Sequence, residues 1–425
     1  MTMHSPDPKR EFAVEVVQRL KEEGFQALWA GGCVRDFLLG REPKDYDVAT
    51  DAHPEKVREL FGHRHTHSVG ASFGVILLRG SQQAGNIEVA TFRTEGEYLD
   101  GRRPEHVEYC TAEEDAQRRD FTINGMFYDP IEKQILDYVE GEKDLGAGIV
   151  RAIGDPHDRV REDKLRMLRA VRFTATLEFE LDAVTADAVR EMAEEIHIVS
   201  AERITQELKQ MLLDQHRKRA MELAVELGLL RVILPELETA SAQWETTLHM
   251  LQLLQEPAFP LSFAVLIHAL QTAGERTPET IAETARRLCK RLRFSNHETE
   301  HACWLLAHRD DISDAPKFPL SQLKRLMAAP HIENLIEFGR VERLANNTPM
   351  GPVMFCEEFI RNTPAAEINP PPLISGNDLI ALDLQPGPKF RDILETIRDA
   401  QLNEEIFTRQ EAHELLNRLL SDHAD

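Results

Sequence analysis

Five cysteines in 425 residues, at positions 33, 110, 289, 303 and 356, are odd in number and widely scattered. That pattern excludes a disulfide framework and a zinc cluster, and fits the reduced thiols of a cytoplasmic protein. Aromatic residues are also scarce, at 6%, although a hydrophobic content of 42% suffices for globular packing. No apolar run approaches the roughly 20 residues needed to cross a bilayer, so no membrane partner is expected. The opening MTMHSPDPKREF carries charge but no apolar core, and export is not expected. Positive charge is short as well: 50 Lys and Arg face 73 Asp and Glu, a net charge of -23. Contact with a polyanion would therefore need a local basic surface. RRLCKRLR (Arg286 to Arg293) and the arginines between Arg151 and Arg172 offer two, or else are solvated helix faces.

The length suggests roughly two to four domains. Up to about residue 140 the chain mixes helix and strand patterns, which predicts a compact α/β domain with a mixed sheet. Pro8 to Glu23 reads as an amphipathic helix, and Pro54 to Phe61 as another. Strand candidates are Gln26–Ala30, Asp45–Ala49, Phe73–Leu78, Asn86–Thr91 and Gln134–Asp137. From Asp158 onward apolar residues recur three or four apart, predicting helices at Arg161–Ala175, Ala183–Ile196, Ala201–Leu213, His216–Leu227 and Thr277–Arg293. A proline-rich break, Thr363 to Pro372, precedes a last module of two helices, Gly376–Leu382 and Lys389–Glu405.

The densest chemistry lies in LWAGGCVRDFLLGREPKDYDVAT, Leu28 to Thr50. Gly31 and Gly32 have no side chains, so a phosphate can approach their backbone N–H groups, and Arg35 adds a charged fork. Asp45 and Asp47 share one face if the segment is a strand, and two hard carboxylates there suit Mg²⁺. The alternative is a glycine turn followed by a solvated Asp-Tyr-Asp loop. Glu88, in the strand-like NIEVATFR, is either a third carboxylate near that pair or an edge-strand residue facing water. RRDFTIN sets two arginines before an aspartate and a strand-like run; Arg119 suits a triphosphate and Asp120 a ribose hydroxyl, and the same heptapeptide also reads as a helix start with a surface ion pair. In REDKLRMLRAVRF, the residues Asp163, Arg166, Arg169 and Arg172 fall every third position, predicting one ridge of a continuous helix. Asp163 and Arg166 suit a base edge, the further arginines suit phosphates. Ordinary Asp–Arg pairing on a helix face is the alternative, weakened by three arginines without matching acids. The polar, glycine-containing Thr94 to Val107 reads as a mobile loop.

The ordered series GGCVRD, DYD, EVATFR, RRDFTIN, EDKLRMLRAVRF and SAERITQEL resembles the class II tRNA nucleotidyltransferase/poly(A) polymerase family, from about Ala30 to Glu238. The resemblance implies an α+β chain: a polymerase-β-like nucleotidyltransferase head with a mixed sheet (1–145), a helical neck with the base-reading helix (146–240), and a helical body and tail that hold tRNA (241–425). It implies template-independent addition of C and A to tRNA 3′ ends from CTP and ATP, with a poly(A) polymerase or an A-only enzyme as the alternative. On its pattern Asp45 and Asp47 are catalytic and bind Mg²⁺, with Glu88 beside them. Gly32, Arg35, Arg119, Asp120, Asp163, Arg166, Arg169 and Arg172 bind nucleotide, and Glu202 and Arg203 support the base-reading helix. No obligate protein partner is evident. The loop is retained, against a CC-only enzyme. FAVLIHALQTAG carries His268 followed by Ala269, where some relatives have His-Asp, so His268 is read as a core or helix-end histidine and no phosphohydrolase activity is expected.

Overall fold

The computed structural model describes residues 7–68, 74–95, 107–237, 243–271, 278–382 and 384–421. The chain separates into two units, Met1–Pro235 and Glu236–Asp425.

The first unit opens with helix α1 (Pro8–Glu22), which Asp7 caps by accepting from the Lys9 N–H while Pro8 takes a position whose N–H is not needed. Its buried stripe of Ala13, Val16, Val17 and Leu20 follows the helical repeat. Seven strands then form one sheet: β1 (Ala27–Ala30), β2 (Asp47–Thr50), β3 (Thr66–Ser68), β4 (Val75–Arg79), β5 (Asn86–Thr91), β6 (Phe127–Asp129) and β7 (Gln134–Leu136). Their order is β3-β4-β5-β2-β1-β6-β7, with β2 and β5 parallel and the other pairs antiparallel. The mixed sheet expected from the sequence is therefore present. Central β1 is buried at every residue, and β5 alternates, with Ile87, Val89 and Thr91 inside. Leu28, Ala30, Ala49, Phe92 and Phe127 share one core with Ala112 and Ala116 of a short helix, while Trp29 packs among Phe37, Tyr46 and Tyr128.

Three local expectations need correction. The strand at the acidic pair starts at Asp47, not Asp45; Asp45 precedes it in a bend. Thr122–Asn124, in the strand-like RRDFTIN, is a single turn of 3₁₀ helix. The helix expected over Arg161–Ala175 is two helices, α2 (Pro156–Glu162) and α3 (Arg166–Leu177). Asp163 separates them in extended conformation (φ -145°, ψ 106°), and its Oδ1 accepts from the Leu165 N–H at 3.0 Å. A short acidic side chain that bonds the backbone two residues on competes with helix continuation. Helix α3 is then buried along most of its length, and packs against Ala201–Leu213 (α4) and Arg217–Glu226 (α5).

The second unit is helical throughout its described residues. In its last part the two expected helices occupy Gly376–Ile380 and Pro388–Leu402, and a third, Arg409–Ser421, completes a small apolar core around Leu379, Ile393, Ile397 and Leu416. Most of the expected mobile loop, residues 96–106, lies outside the described residues. The flanks of the loop, Arg93–Glu95 and Val107–Tyr109, pair as a two-stranded antiparallel ribbon.

Candidate active site

Parallel pairing of β2 and β5 sets Asp47 opposite Glu88. Glu88 is exposed, but β5 lies between β4 and β2, so it is not an edge-strand residue. Burial of the surrounding structure, then the neighbouring charge of Glu88, pushes the Asp47 carboxyl up to about 6; Arg119 offsets this and Asp45 adds to it. One face of Asp47 still meets solvent. Asp45 is more open, with a side-chain exposure of 81%, and its nearest cation is Lys9, Nζ to Oδ1 3.6 Å. The sequence left Glu88 open between two readings; strand pairing sets it beside Asp47.

The glycine turn faces the same neighbourhood. Gly31 adopts φ +71°, a conformation that side chains disfavour, and a Cβ there would lie 3.2 Å from Arg119 Nη1. Glycine thereby admits the guanidinium to the head of the short helix Gly32–Leu38. Arg119 is held by Asp115, through Nε and Nη2 at 3.1 and 2.9 Å, and donates from Nη1 to the Asn124 carbonyl at 3.3 Å. Its guanidinium also lies over the Phe127 ring. Arg35 is buried; it donates to Asp36 Oδ1 from Nε and Nη2 and to Asn124 Oδ1 from Nη1 at 2.8 Å. Cys33, at the same turn, is buried with its thiol pushed up to about 12 by desolvation, so it is not a nucleophile.

Asp120 joins this turn to α3. Its Oδ1 accepts from the Phe121 N–H at 2.8 Å and from Asn124 Nδ2 at 3.2 Å, and its Oδ2 accepts from Arg169 Nε at 2.7 Å. Burial alone would raise this carboxyl, but Arg169, Asn124 and Arg166 outweigh it and hold it down to about 2. Beyond Arg169 stands Glu207 of α4, buried, accepting from Arg172 Nε at 2.6 Å. The guanidinium groups of Arg35, Arg169 and Arg172 surround the Phe173 ring at 5.1, 5.1 and 4.1 Å from its centroid.

The single ridge expected of Asp163, Arg166, Arg169 and Arg172 is thus broken, and the arginines are not short of acids. Asp163, outside the helix, accepts from Arg203 Nη1 and Nη2 at 3.1 and 2.6 Å. Arg166, also buried, donates to Glu162 Oε2 at 2.5 Å, to the Arg159 carbonyl at 2.8 Å and to the Arg118 carbonyl at 3.0 Å. Glu162 lies within the quoted run, but the acids of Arg169 and Arg172 come from outside it: Asp120 from the RRDFTIN segment, Glu207 from α4. Sequence reasoning missed Asn124, Asp115, Glu207 and Phe173. Asn124, four residues after Asp120 in a quoted motif, was the one with a local signal. In the second unit, His268 lies at the end of Phe259–Ile267, buried, its Nδ1 2.7 Å from the Val265 carbonyl, with burial and Arg309 lowering it to about 4. That is a core histidine at a helix end, as expected.

The donor set of Asp45, Asp47 and Glu88 is all carboxylate, mutually repulsive and open to solvent on one side, which suits a hard divalent cation. Among the described residues no three His, Cys, Asp or Glu side chains close into a metal cage. A cation here would complete its shell with water and phosphate oxygens, the habit of Mg²⁺.

Residues 27–151 match the family described as the Poly A polymerase head domain, and residues 178–241 that described as the probable RNA and SrmB- binding site of polymerase A. A CCA-adding enzyme of Lactococcus lactis is 41% identical over 216 residues, 50% of this chain and 53% of that protein. A poly(A) polymerase I of Haemophilus influenzae is 37% identical over 245 residues, 55% of this chain and 53% of that protein. The chain spans about half the length of these curated relatives. Among solved structures, the CCA-adding enzyme of Bacillus stearothermophilus in complex with CTP superposes with a TM-score of 0.78, at 29% identity, covering 99% of this chain and 100% of that one. The chain is thus similar to CCA-adding enzymes and a bacterial poly(A) polymerase over about half its length, and to a CCA-adding enzyme in fold over its whole length.

Proposed function

We propose that this protein adds C and A nucleotides to the 3′ ends of tRNA, taking CTP and ATP and releasing pyrophosphate, in the cytoplasm. The observation that carries the reading is the pairing of Asp47 with Glu88 beside Asp45, within reach of Arg119 and the Gly31 turn. CCA-adding enzymes recur among the similar proteins, and one matches over the whole chain, which favours C and A addition over polyadenylation.

Asp45 and Asp47, with Glu88 adjacent, are the residues that would hold divalent Mg²⁺; bound there it would polarise the α-phosphate and acidify the attacking 3′-hydroxyl. Arg119 and Arg35 carry the charge for the triphosphate, each already oriented by a carboxylate and by Asn124. Asp120 presents acceptor oxygens for a ribose hydroxyl, and stays ionised at any working pH. Asp163 and Arg166 supply an acceptor and donors for a base edge, and each must exchange a protein partner, Arg203 or Glu162, to do so. Arg169 and Arg172, fixed by Asp120 and Glu207 around Phe173, would add further contacts to the nucleotide.

The purified chain is incubated with tRNA lacking its last three nucleotides and labelled CTP alone. Incorporation of C is expected. No C incorporation, together with long ATP-derived tails on unrelated RNA, would overturn the reading in favour of a poly(A) polymerase.

A further inference from the structure

A cavity of about 300 Å³ lies within the second unit, between the helices Leu320–Met327, Ala365–Ile368 and Pro388–Leu402. Three cations line it, Lys324, Arg325 and Arg398, together with Asn369 and the apolar Ile368 and Leu402. Among the described residues no carboxylate shares the lining. The acids that neutralise two of the cations stand in solvent: Glu404, which accepts from Lys324 Nζ at 2.8 Å, has a side-chain exposure of 54%, and Glu395 and Asp399, which pair with Arg325, have 56% and 48%. Lys324 is the reverse, only 4% exposed. Water therefore screens Glu404 while the Lys324 charge is left toward the cavity.

Arg398 carries the argument furthest. Its hydrogen bonds run only to neutral oxygens: Nη1 to the Pro370 carbonyl at 2.7 Å and Gln401 Oε1 at 2.8 Å, Nη2 to Asn369 Oδ1 at 2.6 Å. Its Nε–H and one Nη2–H take no acceptor among the described residues. Burial and the facing Arg325 both work against its charge, with Glu395 offsetting them in part. Anchoring the proline-rich segment explains the three bonds. It does not explain placing an unpaired guanidinium opposite a second arginine and a buried lysine around one opening.

We propose that this cavity is a binding site for a phosphate group. Its size is at the lower end of small-molecule sites, so the phosphate arrives with an apolar or sugar portion resting on Ile368 and Leu402. Guanidinium forks from Arg325 and Arg398 grip the oxygens, and Lys324 adds a point charge. Two sources share that chemistry, a free phosphorylated metabolite and a phosphodiester of bound RNA.

The test uses the intact protein and glycerol 3-phosphate as probe, followed by calorimetric titration and ³¹P line broadening. Two variants are compared. Arg398→Gln removes the guanidinium, and Ala328→Phe, on the exposed rim, fills the cavity without touching a tether. Saturable binding of the probe that weakens at least tenfold in both variants is expected. If tRNA displaces the probe, and Ala328→Phe weakens tRNA binding, the phosphate belongs to RNA. If tRNA and probe bind together, it belongs to a small metabolite. Equal probe affinity in wild type and Ala328→Phe would overturn the proposal, whatever the outcome for nucleotide transfer.

Discussion

Asp47 and Asp120 are both aspartates at the candidate site, and their surroundings drive them in opposite directions. Asp47 titrates near 6 in the folded chain against an ordinary 3.8, because of burial and its neighbours Glu88 and Asp45. Its contribution to stability is full below about pH 4 and is lost as pH rises through 6, since ionising it costs more in the folded state. Asp47→Asn is therefore expected to raise stability at pH 7.5 by about 1 kcal/mol, discounted for the solvent that reaches the side chain. In urea titrations that gain should vanish by pH 4, and millimolar Mg²⁺ should narrow it by stabilising only the wild type. A variant less stable than wild type at pH 7.5 would contradict the repulsion. Asp120 is the mirror case, held down to about 2 by Arg169 and Asn124 against its burial. Its stabilisation is present above pH 3.8 and is lost as pH falls through 2. Asp120→Asn leaves Arg169 partly uncompensated and is expected to cost about 3 kcal/mol at neutral pH. It should also flatten the acid side of the stability profile, measured by denaturant titration between pH 4 and 2.

At the scale of elements, the Gly31 turn and the break at Asp163 position the site. Gly31→Ala meets both an unfavourable φ of +71° and Arg119 Nη1 at 3.2 Å. The strain is expected to cost about 2 kcal/mol, and displacement of Arg119 should raise KM for nucleotide more than it lowers kcat. Unchanged KM in steady-state assays would separate Arg119 from the triphosphate. Elements were unequally legible in the sequence. Alternation in NIEVAT gave β5 and its exposed Glu88, and stripes three or four apart gave α1 and α4. That Asp47 would stand beside Glu88 was only a suspicion, because strand pairing across that separation is a tertiary fact. The ridge of Asp163, Arg166, Arg169 and Arg172 failed for a related reason. Spacing reports periodicity, but it is silent on an aspartate that caps its own downstream turn. Arg169 and Arg172 seemed to lack acids because Asp120 and Glu207 lie 49 and 35 residues away from them. Phe173 read as an ordinary buried apolar residue; only packing reveals the guanidinium groups around it.

For the whole molecule, a net charge of -23 means that the proposed RNA substrate would be gripped against the average field. Affinity for tRNA is thus expected to be local in origin and to fall steeply between 50 and 200 mM salt, by at least tenfold in filter-binding titrations. A flat salt response would place the contact away from basic residues. The central claim is that Asp45 and Asp47 enable transfer to a tRNA end that the rest of the chain presents. The most direct measurement sequences the 3′ ends of tRNA lacking CCA after incubation with CTP, ATP and Mg²⁺, for wild type and for Asp45→Asn with Asp47→Asn. Wild type is expected to add C, C and A and stop. The double variant should keep its circular dichroism spectrum and tRNA affinity, yet transfer about 10³-fold more slowly. Tails of wild-type length and rate from the double variant would contradict the account.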